Sequence, residues 1–169
     1  MKFKTLKHFN IPGHIHELTF SCFEKKNLLV SDQICHLFIE SLENARGKHT
    51  FRLIAYVIMP DHVHLLISPL KEDYSIRRIL SGIKLPFSMM MAKVNLKPPG
   101  PFWQRGGGYD RNIVTRKALE SSINYIHGNP VRKGLVDTPE KWKYSSAGYY
   151  AGLKVYPIKI DVEVFEMLF

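Results

Sequence analysis

At 169 residues the chain is long enough for a substantial core and too short for two comfortable ones, so one domain over 1–169 is expected, its core at about 11–150 and a tail at 151–169. Apolar residues make up 45% and charged residues 23%, ordinary globular usage that excludes disorder as the default. Against 15 Asp and Glu stand 24 Lys and Arg, leaving +9 with histidine neutral, a field that draws polyanions such as nucleic acid.

The N-terminus, Met1 to His8, is basic but lacks the apolar stretch of a secretory signal. The apolar run Leu53–Met59 is far shorter than the ~20 residues of a spanning helix, so no membrane association is expected. Cys22 and Cys35 form neither a CxxC pair nor a disulfide framework, which suits a reducing, cytoplasmic setting and two core thiols.

After the Pro12-Gly13 turn, alternating apolar and β-branched residues predict a first strand over 14–23. Ser31 can cap a helix that buries Ile34, Cys35, Leu37, Phe38, Leu42 and Ala45 before Gly47 stops it. Strands at 51–59 and 62–68 follow, joined tightly at Pro60-Asp61. Ser75 opens a second helix with Ile76, Ile79, Leu80 and Ile83 on its stripe, and Pro86 should kink or interrupt it. Lys97 to Pro101 must be loop. Short extended pieces at 102–105 and 110–114 flank the flexible Gly106-Gly107-Gly108. A third helix runs from about Arg116, capped by Thr115, to about His127, where Gly128 and Pro130 close it. The order β-α-β-β-α-β-α predicts an α+β fold, a ferredoxin-like antiparallel sheet with helices packed on one face. Lys141-Trp-Lys143 and Tyr149-Tyr150 should pack the chain end onto the domain, and the apolar 162–169 should dock as a short helix or bury in a partner.

The chemistry concentrates in Tyr56-Val-Ile-Met-Pro-Asp-His-Val-His-Leu-Leu-Ile67. Strand alternation points His62 and His64 the same way, with Cα atoms roughly 6.5–7 Å apart, a reach that suits two imidazoles sharing one divalent metal. A lone His-x-His is more often a pair of satisfied histidines, yet two polar rings in so apolar a segment call for partners. His14 and His16 repeat the spacing on the first strand, but no Cys or carboxylate sits close in sequence to complete a zinc site, and they read as structural. Tyr125 and Asn129, four residues apart, share a face if the third helix continues that far. Asn129 offers an amide oxygen to a hard metal, and a cation nearby would lower the Tyr125 phenol toward a usable nucleophile. Gly128 and Pro130 count against helical geometry at Asn129.

Basic residues group at Arg77, Arg78, Lys84 and Lys93, at Arg105 and Arg111, and at Arg116, Lys117, Arg132 and Lys133. Phe102, Trp103 and Tyr109 interleave with Arg105 and Arg111, a mixture suited to stacking unpaired bases while neutralising phosphates, although Trp103 fits a core equally well.

Pro60-Asp-His-Val-His-Leu-Leu66, Trp103-Gln-Arg105, Tyr109-Asp110, Tyr125-Ile-x-x-Asn-Pro-Val131 and Trp142-x-Tyr-Ser-Ser146, in that order, resemble the single-tyrosine HUH transposases, closest to their REP-associated tyrosine branch. The resemblance spans about 11–150. It implies a transposase that cuts and rejoins single-stranded DNA beside short hairpins with Mg²⁺ or Mn²⁺. His62, His64 and Asn129 would be the metal ligands, and Tyr125 the nucleophile that leaves a 5′-phosphotyrosine. Tyr109, Arg105, Arg111, Arg116, Lys117, Arg132 and Lys133 would contact DNA. Mobile relatives work as dimers that exchange the tyrosine helix, while the REP-associated branch implies a monomer, so monomer and homodimer both stay open. A non-catalytic hairpin-binding derivative and a zinc protein are the competing classes. The glycine run before Tyr109 and Gly128 after the tyrosine helix depart from the family's pattern and leave open how rigidly that helix is held.

Overall fold

The computed structural model describes residues 8–106, 108–153 and 157–161; the expected terminal helix at 162–169 lies outside the described residues. Strands β1 (Ile15–Ser21), β2 (Phe51–Ile58), β3 (His62–Pro69) and β4 (Tyr109–Ile113) form one antiparallel sheet in the order β2-β3-β1-β4. The α+β antiparallel class is therefore as expected. Helices α1 (Asp32–His49) and α2 (Ile76–Lys93) share one face of the sheet, where Leu18, Phe20, Leu65 and Ile67 meet Phe38, Leu42, Ile83 and Phe87. Helix α3 (Arg116–His127) takes the other face, packing Leu119, Ile123 and Ile126 against Ile15, Leu66 and Ile113. Helices on one face thus describes α1 and α2 only. Strand alternation leaves apolar side chains on both faces of β1 and β3, and the amphipathic stripe of α3 buries the second set.

The caps fall where the hydroxyls stand. Ser31, Ser75 and Thr115 accept from the amides of Ile34, Arg78 and Ala118, satisfying donors left over in each first turn. Helix α1 continues two residues past Gly47, and Thr50 ends it in a left-handed conformation at φ 53°. Pro86 does not interrupt α2. Proline removes one bond of the ladder, and in that same turn the Ile83 carbonyl takes a second partner, the buried Ser41 hydroxyl of α1 at 2.6 Å.

Residues 142–150 cover the free edge of β2. The Ile58 amide donates to the Tyr144 carbonyl, the Ser146 amide to Tyr56, and the Trp142 indole to Ile58, so the edge is closed against other chains. The Tyr150 hydroxyl donates to Ile54, and the buried His127 of α3 lies 2.7 Å from the Ser146 hydroxyl. The chain end is packed on the domain as expected, and it also anchors the end of α3. His16 is buried with its ring nitrogens 2.7 Å from Asp110 Oδ1 and 2.7 Å from the Tyr74 hydroxyl; His14 takes the Asn112 amide at 3.0 Å. Both are structural. Among the described residues no helix is long and apolar enough to cross a membrane.

Phe102 and Trp103 are not base platforms. They lie in the α1/α2 core, edge-on to one another and to Phe87 and Phe20. Lys84 is likewise no surface cation: its ammonium sits 4.6 Å from the Phe20 ring centre, and burial pushes its pKa down to about 8. Since that is below the free value of 10.5, the unfolded chain binds more protons between pH 8 and 10.5, and stability should rise with pH across that window. Lys84→Met should abolish the rise and add on the order of 1–2 kcal/mol at pH 7, where a buried charge is no longer offset only by ring contacts. Urea denaturation at pH 7 and pH 10 checks both.

Candidate active site

Strand β3 presents His62 and His64 on the α3 face, with Nε2 atoms 3.1 Å apart. Each ring is oriented through its other nitrogen. His62 donates its Nδ1–H to the Asp61 carboxylate at 2.6 Å, which leaves Nε2 as the lone-pair nitrogen. His64 Nδ1 lies 2.7 Å from the Thr19 hydroxyl of neighbouring β1, the residue directly opposite it in the register. Burial pushes the His64 pKa down to about 3, and the nearby Arg132 charge acts in the same direction, so its ring is neutral at ordinary pH and ready to ligate without shedding a proton.

Tyr125 stands in the last turn of α3. Its side chain is 49% exposed, and its ring meets His64 edge-on, 5.7 Å between centres. Gly128 ends the helix and a second short one, α4 (Asn129–Arg132), begins at once. Proline at its second position has no amide to waste there, so Asn129 stays helical despite the proline that follows. Asn129, 6% exposed, brings its amide nitrogen Nδ2 2.9 Å from His64 Nε2. His62, His64, Tyr125 and Asn129 are thus brought together: spacing predicts each pair, and the resemblance implies their meeting.

Two glycines make room for this arrangement. A Cβ on Gly128 would lie 2.6 Å from the Arg132 guanidinium, which folds back over the Tyr125 ring at 4.5 Å and donates to the Tyr125 carbonyl. Arg132 therefore braces the tyrosine. Gly108, at φ 147°, passes the Thr19 carbonyl so closely that a Cβ would sit 2.8 Å from it. The departures read as looseness in sequence are close approaches in the fold.

The two Nε2 atoms face each other at 3.1 Å, and the Asn129 amide, which meets His64 through Nδ2, carries on the same group an oxygen of the kind a hard cation takes. Among the described residues no group of three His, Cys, Asp or Glu could hold a metal, so the set lacks the closed cage of a structural zinc. Two nitrogens and one amide fit a cation that keeps open positions for phosphate oxygen and water.

Beside this cluster a cleft of about 460 Å³ runs over the sheet, with His64 and Tyr125 at its wall together with Tyr109, Arg111, Glu17 and Ser122. A family model described as transposase IS200 like matches residues 12–129, which include both histidines, Tyr125 and Asn129. The chain belongs to the IS200-like transposases. A Haemophilus influenzae protein provisionally named a REP-associated tyrosine transposase is 31% identical over 156 residues, covering 86% of each chain. The Escherichia coli K12 REP-associated tyrosine transposase is 22% identical, covering 90% of this chain and 87% of its own. Among solved structures, a REP-associated tyrosine transposase bound to a REP hairpin matches with a TM-score of 0.75 at 20% identity, over 94% of this chain and 93% of that one. A provisionally assigned transposase from Deinococcus radiodurans matches at 0.52 and 21% identity, over 76% and 97%.

In this transposase the remaining sequence candidates separate. Tyr109 and Arg111 line the cleft, on β4 beside Thr19 and Glu17 of β1. Arg105 is exposed on the loop before β4 and is not a cleft residue. Arg116 and Lys117 are exposed in the first turn of α3; Tyr125, nine residues beyond Arg116, is roughly 13 Å along the axis. Lys133 is exposed just after α4. Asp61, Thr19 and the brace by Arg132 were missed by sequence reasoning. Asp61 had a signal, adjacency to His62 after a proline turn, but Thr19 becomes visible only with the β1–β3 register.

Proposed function

We propose that this chain cuts and rejoins single-stranded DNA beside hairpins through a covalent link to Tyr125, with Mg²⁺ or Mn²⁺ held by His62, His64 and Asn129. The observation that carries the reading is the convergence of His62, Asn129 and the Tyr125 ring on His64, with His64 and Tyr125 at the wall of one cleft. The relative solved with a REP hairpin supports hairpin DNA as the substrate class.

The bound cation would polarise the scissile phosphate and offset charge developing on its oxygens. The protein's own residues do the rest. Asp61 and Thr19 fix the two rings, and Arg132 holds the phenol by stacking on it. The Tyr125 oxygen forms a bond to phosphorus while the bond to the 3′ oxygen breaks; the phenolic proton is released and the 3′ oxygen leaves as a hydroxyl. The product retains a phosphodiester, now 5′-phosphotyrosyl, so rejoining to another 3′-OH needs no ATP. Tyr125 and His64 of one chain already adjoin, which favours action within a monomer over exchange of α3 between copies.

Labelled single-stranded oligonucleotides bearing a hairpin, incubated with Mn²⁺ and with EDTA, test this. Nicking with Mn²⁺ alone, accompanied by a protein-linked fragment, is the expected result. Binding without nicking under either condition would make the protein a hairpin-binding derivative instead.

A further inference from the structure

The cleft has a polar end that the strand-transfer chemistry does not use. Arg111 of β4 and Glu17 of β1 are direct partners in the register, and both point to the α3 face. One guanidinium nitrogen, Nη2, donates to Glu17 Oε2 at 2.9 Å and to the Ser122 hydroxyl of α3 at 2.7 Å; Ser122 in turn donates to the same Oε2 at 2.8 Å. Glu17 is only 5% exposed, while the Arg111 side chain is about half exposed. Among the described residues nothing else bonds the Glu17 carboxylate, and its Oε1 remains an acceptor beside the unused donors of Arg111.

Charge decides what this pair is for. A guanidinium already neutralised at 2.9 Å by a buried carboxylate offers a phosphate little net attraction, and the carboxylate repels it. A rigid acceptor beside rigid donors is instead the complement of a nucleobase edge, where an amino or ring N–H lies next to a carbonyl or ring nitrogen. Tyr109 is 44% exposed on the same wall and supplies a face for stacking. The site is also within reach of the chemistry. His64, Thr19 and Tyr109 lie in one row across β3, β1 and β4, and Glu17 and Arg111 in the next, so Arg111 is two strands over and two residues along, roughly 10–12 Å from His64.

We infer that Glu17, Arg111 and Tyr109 form a base-reading pocket that holds one unpaired nucleobase next to the phosphate cut by Tyr125. The inference rests on the strand-transfer reading and goes beyond it: Arg111 reads a base edge rather than clamping a phosphate. Ser122 and Glu17 position the guanidinium.

The test uses the full-length Tyr125→Phe chain, which retains bound strands uncut. A single-stranded library carrying a fixed hairpin stem and randomised unpaired flanks is selected on it, and again after adding Glu17→Gln/Arg111→Met, a pair that leaves no unpaired charge behind, or Tyr109→Ala. The expected result is one flank position with a base preference that the double change relaxes by roughly tenfold, while the salt dependence of binding stays as it was. Tyr109→Ala should weaken binding without altering the salt slope. A slope reduced by about one, with the base preference intact, would overturn the inference in favour of a phosphate clamp. A preference unchanged in both variants, with folding verified by circular dichroism, would reduce the pair to a structural role. A library that is bound with no flank position enriched would also overturn the inference, whereas no binding of the library at all would count against the strand-transfer reading itself.

Discussion

Tyr125→Phe should lower DNA nicking by at least about a thousandfold, to the level of the metal-free control, while leaving single-strand binding within roughly twofold. Only the hydroxyl is removed. The ring's edge contact with His64 and its stack beneath Arg132 both survive, because each involves carbon and π-face rather than oxygen. The side chain is half exposed, so no buried partner is orphaned and the melting temperature should not move. Quenched-gel nicking assays alongside anisotropy binding separate the two properties. Loss of binding together with nicking would point to misfolding, and nicking that persists would mean that another group, or water, attacks phosphorus.

His64→Ala should be the second large effect, and it reaches further. The ring is 5% exposed and sits between His62, Asn129 and Thr19, so truncation leaves a polar void and frees three groups at once. A stability loss of about 2–3 kcal/mol follows from the lost packing and the unpaired hydroxyl and amide. Mn²⁺ affinity should fall by more than the roughly 10–100-fold typical when a residue that merely orients a ligand is lost. Asp61→Asn provides that smaller comparison, since it weakens the hold on His62 without removing a ligand. Isothermal titration with Mn²⁺ and urea denaturation of both variants would show the two effects in that order. Equal Mn²⁺ affinity in the native chain and His64→Ala would remove the imidazole pair from the metal site.

Much of this site was legible from spacing. The period of two in a strand aligns His62 with His64, and the spacing of four puts Tyr125 near Asn129; both hold, although Asn129 belongs to a new short helix after Gly128. The caps at Ser31, Ser75 and Thr115 were equally readable, because each follows from one hydroxyl before an apolar stripe. What escaped depends on pairing between distant segments. Thr19 beneath His64 and Glu17 beside Arg111 require the register of β1 with two neighbours, which no local pattern encodes. The same blindness offered Phe102 as a stacking platform, left Trp103 open between platform and core, and grouped Lys84 with the surface cations, when aromatic packing across β1, α1 and α2 buries the rings and draws the lysine onto them. Pro86 misled as well: α2 runs on through it, and in that turn the Ile83 carbonyl accepts from the Ser41 hydroxyl of α1.

The helix α3 placement matters for function because it carries Tyr125 to the face of the sheet that bears the histidines. Leu119, Ile123 and Ile126 fix its rotation against Ile15, Leu66 and Ile113, and the His127–Ser146 contact fastens its end to the segment that covers the edge of β2. A nucleophile held this way needs little reorganisation before attack, which is where positioned groups contribute most to rate.

Peptide mapping of the covalent complex tests the central claim most directly. The protein is incubated with Mn²⁺ and a hairpin-bearing single strand, trimmed with nuclease and digested with trypsin. The account predicts a nucleotide phosphate on Ala118–Arg132, a peptide whose sole tyrosine is Tyr125. A cut strand with no adduct on that peptide, or an adduct on Tyr109, would contradict it.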